Sequence, residues 1–439
     1  MSDLSATIQD VVSNNLCTGC GTCVGICPAG ALEIIETADG RLVPDIQIVR
    51  CTACGLCRKT CSQLRVSAEL MGVLDSAPAG PIGAACTTTA KNIVFSTAGQ
   101  SGGATMGILS WAMESGLVDR ALVVSVDSNN PLQPRAMLVD NTQNLQQCQG
   151  SQYCPVALNV VLREVLDTAG RIACVGLPCH MHSLSLAMEN IEAIREKIVL
   201  RVGLFCSGTM TFGGRDFLVK SSGVQPGRVQ KFAYRDRRWK GWPGDVSVMD
   251  DHKQSYYIPR TARMAAKDFF TPIYCRLCPD KMNMTVDISV GDAYGLDTDG
   301  VLGGAALLIR TDVGQRVVEQ AVRDGYLICQ NVSESAVLAG QKSQPAWDRS
   351  RDFAAVWQQT GHVLPAFWSE TSLPQIISIS AGKAARRLLR RSLSWQCGSA
   401  RRRHVRLPQF LMIGIWRVKL AWNMIQSIVH RRRGNHQSA

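Results

Sequence analysis

The sequence predicts an α/β protein in three parts: a small α+β cysteine-rich module, a larger α/β core and a basic helical C-terminal tail. Three observations predict it. Two runs of four cysteines share one spacing inside the first 61 residues. Between residues 84 and 345, short apolar runs alternate with helical periods, the pattern of strands crossed by helices. From Lys383 onward there are 14 of the 47 Lys and Arg residues and no acidic residue.

Cys17, Cys20, Cys23 and Cys27 form C-x2-C-x2-C-x3-C, followed by Pro28, and Cys51, Cys54, Cys57 and Cys61 repeat the run 34 positions later. This is the pattern of a bacterial two-cluster ferredoxin, in which the fourth cysteine of each run ligates the other cluster. The expected sets for two 4Fe-4S clusters are Cys17, Cys20, Cys23, Cys61 and Cys51, Cys54, Cys57, Cys27. Gly19, Gly21 and Gly55 let the loops wrap a cluster corner without strain. Ser62 stands where the first run has proline, outside the ligand set. Zinc sites use C-x2-C pairs rather than triplets with a fourth cysteine at x3. Strands are expected at Ala31–Glu36 and Leu42–Ile48, and the ferredoxin-like module spans residues 1–70.

A chain of 439 residues exceeds one domain, and 46% hydrophobic content suits a globular protein. Thiolate ligands have to stay reduced, which points to a reducing compartment. The opening MSDLSATIQD lacks a basic and then apolar secretory signal, so the cytoplasm is expected. Residues 1–382 hold 33 basic against 35 acidic residues, so the net charge of +12 belongs to the tail.

A small-residue linker is expected over Ser76–Thr89. Then come a strand at Ile93–Phe95, the glycine-rich loop Gly99–Gly103 and a helix over Ala104–Ser115. Strand Ala121–Val126, helix Val156–Ala169 and strands Ile172–Val175 and Ile198–Phe205 follow. Val229–Tyr257 reads as shorter strands, and Asp287–Val290 and Ala305–Arg310 as further sheet. The sheet should have substantial parallel character.

Four more cysteines stand at strand or loop ends: Cys179, Cys206, Cys275 and Cys278. By spacing alone, Cys275-x2-Cys278 is equally half a zinc site, and single cysteines are common core residues. Six segments in order then carry a resemblance: Ser101-Gly102-Gly103, Ser151 through Asn159, Val175 through Cys179, Val202 through Cys206, Cys275 through Cys278, and Asp287 through Asp292. Over residues 90–330 the chain resembles the family of coenzyme F-420 hydrogenase/dehydrogenase beta subunits. The resemblance implies an FAD-dependent iron–sulfur oxidoreductase acting on coenzyme F-420 or a related organic substrate. It also implies a third 4Fe-4S cluster on Cys179, Cys206, Cys275 and Cys278. The chain departs from the family pattern at Ser101, Cys154 and His180.

Clusters move single electrons, most organic substrates exchange two, and a flavin joins the two regimes. A glycine-rich turn opening a helix suits FAD phosphates, with Ser101, Gly102, Gly103 and Thr105 as candidates; a plain flexible turn is the alternative. The resemblance places Ser151, Tyr153, Pro155 and Asn159 near flavin or substrate. Ordinary helix-start chemistry at Ser151 and Pro155 is the other reading. His180, His182 and Tyr153 are candidates for proton supply, although buried histidines more often only hydrogen-bond. Tyr234–Trp242 is either a wall for an acidic ligand or a solvated strand. Cys86, Cys148, Cys174, Cys329 and Cys397 have no partner spacing.

Residues 346–382 read as a helical extension or linker, and 383–439 as the basic tail. In the tail Leu411, Ile415, Val418, Trp422, Ile425 and Val429 recur at helical steps between arginine groups. That pattern suits a helix lying on an anionic membrane surface, giving a peripheral place on its inner face. Docking on protein is the competitor, and no nucleic-acid-binding fold accompanies the charge. A ferredoxin or other redox protein and a small-molecule substrate are the expected partners. The alternative function is a non-catalytic electron-transfer subunit of a larger membrane-associated complex.

Overall fold

A computed structural model describes residues 7–74, 78–298 and 303–368. The tail, Cys397 and the extension beyond residue 368 lie outside the described residues. In the cysteine module β1 (Leu32–Glu36) and β2 (Leu42–Ile46) pair antiparallel. There follow β3 (Ala84–Ala90), β4 (Arg120–Asp127), β5 (Asn130–Val139), β6 (Ile172–Gly176) and β7 (Ile198–Leu204). Next come β8 (Val229–Asp236), β9 (Asp245–Asp250) and β10 (Ser255–Ile258), then β11 (Ile288–Asp292), β12 (Ala305–Ile309) and β13 (Leu327–Asn331). β8 to β10 form a three-stranded antiparallel sheet, and the main sheet runs β13-β3-β12-β11-β7-β6-β4-β5.

The middle of the main sheet, β11-β7-β6-β4, is parallel, and both flanks are antiparallel. Strands covered on both faces read as continuous apolar runs. Ile172, Leu200 and Val202 are fully buried there, and each such side chain contributes about 1.5–3 kcal/mol. Loops at the carboxyl ends of these parallel strands are where an open α/β sheet presents functional groups. Cys179 follows β6, Cys206 follows β7 and Asp292 ends β11.

Several expectations are corrected. Residues 84–90 are not linker but β3, hydrogen-bonded between β12 and β13. Its alanines and threonines lack a strong strand signal, and burial between neighbours decides the matter. Ile93–Phe95 opens a helix, Ile93–Ala98, because the Asn92 side chain accepts the Val94 N–H at 2.9 Å. The long helix over 156–169 is a tight turn, Leu158–Val161, followed by a short helix, Leu162–Asp167. Strands β5 and β13 were not foreseen.

The cysteine module is fastened to the core. Asn159 N–H donates to the Cys20 carbonyl at 2.8 Å, and Phe212 N–H to the Gly40 carbonyl at 2.8 Å. Arg163 donates to the Cys27 carbonyl at 2.6 Å. Ser183 Oγ, on the helix Pro178–Asn190, donates to Ser62 Oγ at 2.9 Å and lies 3.5 Å from Cys20 Sγ. The helix Ser343–Gln359 closes over this junction. Its Phe353 and Trp357 pack with Leu16 and Leu277 and against Cys17 and Cys61, keeping water from those thiols.

Candidate functional site

The N-terminal thiols form two groups. Burial, and after it Cys20, Cys17 and Cys61, push the Cys23 thiol far up. Burial, and after it Cys54, Cys27 and Cys51, raise Cys57. The fourth cysteine of each run therefore stands with the other run. A small cavity of about 30 Å³ is lined by Cys17, Cys20, Cys23 and Cys61. Among the described residues no three His, Cys, Asp or Glu side chains close on a single-ion position. Eight thiols in two sets of four, each set drawing its fourth member from the other run, match a pair of multi-iron groups better than tetrahedral zinc. Burial pushes Cys17 and Cys61 up to about 12, so these thiols would have to lose their protons in order to hold a metal. The other group is open: Cys51 and Cys54 are exposed.

The core cysteines come together from three separate places. Pro178 starts a helix in its favoured first-turn position, which sets Cys179 at the positive helix end. Cys206 follows β7, Cys275 lies within the short helix Ile273–Leu277, and Cys278 caps its C-terminal end. Burial raises the Cys179 thiol, and Cys206, Cys275, Cys20 and Cys278 raise it further. The presence of Cys20 among these neighbours puts the core group beside the first N-terminal group.

These thiols stand between two cavities. One, about 470 Å³, is lined by all four of them with Lys267, Lys281, Arg349 and Phe353. Burial, then Arg349 and Lys267, bring Lys281 down to about 8. The other, about 310 Å³, reaches from Cys179, Cys206 and Cys275 to the turn Gly99–Thr105 and the segment Gly150–Val156. Ser101, Gly103, Thr105, Ser151, Tyr153, Pro155 and His180 all line it, as sequence reasoning expected of flavin and substrate residues. Arg235 and Asp292, which the sequence did not single out as a pair, are joined by three contacts of 2.9–3.0 Å, and Ser101 Oγ donates to Asp292. The Tyr234–Trp242 stretch divides: Arg235 is buried in the cavity wall, whereas Trp239 stacks on Tyr257 at the surface.

Two expected residues do not line this cavity. Asn159 is fully buried, and its Nδ2 donates to Thr22 Oγ1 at 2.8 Å and the His180 carbonyl at 2.9 Å. It is a strut between module and core. Gly102 lies behind the turn, where an added Cβ would stand 2.7 Å from Thr89 Cγ2. His180 lines the cavity, but its ring is spent on backbone. Nδ1 accepts the Leu177 N–H at 3.2 Å, Nε2 donates to the Val156 carbonyl at 3.1 Å, and burial brings the ring down to about 4. Neither nitrogen is left to pass a proton to a ligand. His182 Nε2 pairs with the buried Asp280 at 2.8 Å. Cys86 and Cys329, read without partner spacing, are neighbours on the paired strands β3 and β13, where the Cys86 thiol pulls Cys329 below the ordinary thiol range and Cys329 Sγ donates to Thr88 Oγ1 at 3.2 Å.

Gly103 caps the helix Ala104–Glu114 at φ +71°, and an added Cβ would meet the Phe95 carbonyl oxygen at 2.3 Å. Left-handed strain and overlap together predict that Gly103→Ala loses about 2–5 kcal/mol, measured as a lowered denaturation midpoint. An unchanged midpoint would show that the turn relaxes freely.

The family model described as the N-terminal part of the coenzyme F420 hydrogenase/dehydrogenase beta subunit matches residues 85–163, and its C-terminal counterpart matches residues 169–335. A 4Fe-4S dicluster domain matches residues 16–63. The chain belongs to the family of coenzyme F-420 hydrogenase/dehydrogenase beta subunits. Within that family it is 27% identical over 349 residues to a subunit of the F(420)H(2) dehydrogenase of Methanosarcina mazei, covering 76% of this chain and 90% of that one. It is 22% identical over 324 residues to the coenzyme F-420-dependent sulfite reductase of Methanocaldococcus jannaschii, covering 71% of this chain but 46% of that one. A solved structure of the F-420-reducing [NiFe] hydrogenase complex from Methanosarcina barkeri shares the fold, with TM-score 0.53 and 20% identity over 64% of this chain and 94% of the other. This family member is thus an iron–sulfur oxidoreductase-type chain with an N-terminal dicluster domain. Among the described residues no helix is long and apolar enough to cross a membrane.

Proposed function

We propose that the chain is an FAD-dependent oxidoreductase in which electrons pass between the N-terminal 4Fe-4S clusters, a third 4Fe-4S cluster on Cys179, Cys206, Cys275 and Cys278, and FAD, to reduce or oxidise coenzyme F-420 or a related organic substrate. One observation carries the reading. The core thiols form a wall with Cys20 on one side and the 310 Å³ cavity on the other. The residues fit the group: the cavity joins a helix N-terminus, suited to phosphate, with apolar walls at Val123, Val175, Leu177 and Val290. Gly103 and Thr105 would hold the phosphate end, and Tyr153, Pro155 and Val175 the ring end. FAD, when bound, supplies the exchange between one- and two-electron chemistry. The chain's part is to bind it, keep water from the thiols, and supply protons from the cavity wall.

The expected composition of anaerobically purified protein is about twelve irons, as many sulfides, and about one FAD per chain. A pale preparation holding zinc and releasing no flavin would reject the reading. One feature favours the second reading, an electron-transfer subunit of a larger complex. Ile48 and Val49 are 82% and 102% exposed beside the exposed Cys51 and Cys54, a face suited to a redox protein. Turnover of an organic acceptor by the isolated chain with an artificial donor decides for the enzyme, and its failure with a full cofactor load decides for the electron-transfer role.

A further inference from the structure

Among the described residues, Arg263 is a buried guanidinium with no carboxylate beside it. It is 6% exposed, its Nε has no hydrogen-bond partner among the described residues, and its charged or phenolic neighbours are Tyr153, Arg235, Arg260 and Tyr294. A cation removed from water without a partner is costly, so its retention points to a group on which it acts. That group is Tyr153. The Arg263 guanidinium carbon stands 5.1 Å from the centre of the Tyr153 ring. Lys267 Nζ, one turn along the helix Arg260–Phe270 and on the same face, stands 5.9 Å from it.

The surroundings of Tyr153 are one-sided. Arg235 reaches it from β8, and Asp292 on β11 is already held by Arg235. Tyr234 meets the ring edge-on at 5.5 Å, and Tyr294 is a second phenol within electrostatic reach. Three cations therefore face one carboxylate that is already paired. Burial works to raise the Tyr153 phenol, yet Arg235, Arg263 and Lys267 together leave it below the usual range. No described residue hydrogen-bonds its hydroxyl, and the side chain lines the 310 Å³ cavity.

We propose that Tyr153 is the proton donor of this cavity and that Arg263, with Lys267, is the positioning residue that makes it one. When a carbonyl, imine or ring nitrogen of the substrate takes up two electrons, negative charge gathers on its heteroatom. The Tyr153 O–H bond then breaks, the proton bonds to that atom, and the electron pair stays on the phenolic oxygen. The Arg263 and Lys267 charges stabilise that phenolate, and water returns the proton afterwards. The inference rests on the functional reading above only for the source of the two electrons; the electrostatic coupling of Arg263 to Tyr153 stands apart from it.

The test titrates tyrosinate absorbance in the full chain as purified, with Tyr153→Phe subtracted to isolate this phenol. Arg263→Gln is expected to move the titration upward by about one pH unit or more. Arg263→Lys, which keeps the charge, should hold most of the wild-type value. Lys267→Met should move it upward by a smaller amount and serves if Arg263→Gln does not fold. The donor works only while protonated, so the rate of acceptor reduction should fall as pH rises through the Tyr153 pKa. That alkaline limb should shift to higher pH in Arg263→Gln and vanish in Tyr153→Phe. A titration that neither Arg263→Gln nor Lys267→Met displaces, in protein with its iron retained, overturns the inference. Absence of flavin sinks the functional reading instead, so the two failures are distinguishable.

Discussion

Cys206→Ser is expected to lower bound iron from about twelve to about eight atoms per chain, leaving both N-terminal thiol groups filled. The loss should be confined because Cys206 belongs only to the core group, beside Cys179, Cys275 and Cys278. Its backbone is held independently, since the Cys206 N–H donates to the Lys281 carbonyl at 2.9 Å, so the strand end should keep its place. Acceptor reduction should fall by more than about 100-fold, because in the proposed function Cys206 is a ligand of the cluster between Cys20 and the cavity and not just a supporting group. Iron and sulfide analysis with low-temperature spectroscopy reads the outcome. Wild-type protein that already holds about eight irons would mean that the core cysteines carry no cluster.

Arg235→Met is expected to cost about 3–5 kcal/mol of folding stability. Arg235 is 5% exposed and donates to both oxygens of Asp292 at 2.9–3.0 Å, with Nε bound to the Pro243 carbonyl at 2.8 Å. Burial works against its charge, but Tyr153 and Asp292 hold its pKa above the ordinary arginine value. Removing it strands the Asp292 carboxylate in the cavity wall with the neutral hydroxyls of Ser101 and Tyr294 as its remaining side-chain donors among the described residues. A charge stranded in this way costs far more than the pair itself contributes, so Arg235→Met with Asp292→Leu should recover most of the stability. Denaturant unfolding of the two variants provides the comparison. A single variant within about 1 kcal/mol of wild type would mean that water reaches Asp292 and the pair is effectively exposed.

Legibility followed the range of the interactions. The eight N-terminal cysteines could be grouped from spacing because a cluster's ligands lie within a few residues of one another, and only the crossed fourth cysteine needs a long-range contact. Cys179, Cys206, Cys275 and Cys278 could not, because three separate chain segments deliver them and no spacing rule spans 99 residues. Only the ordered resemblance to a family suggested them as a set. Asn159 was assigned to a ligand and proved to be a strut, since an amide looks the same in sequence whichever partner it binds. Arg263 had a weak signal available: it lies four residues before Lys267 in an otherwise apolar-faced helix. Nothing local indicated that the shared face would meet Tyr153.

Read by itself, the sequence settled the α/β class, the dicluster module and the family, since local ligand spacing and alternating apolar runs are properties of short stretches of chain. Tertiary structure decided which carboxyl strand ends converge, that β3 is a sheet strand and not a linker, and that a histidine beside the cavity is locked by the backbone groups of Leu177 and Val156. Those outcomes depend on burial and on partners distant in sequence, whose energies are set only when the sheet closes and water leaves.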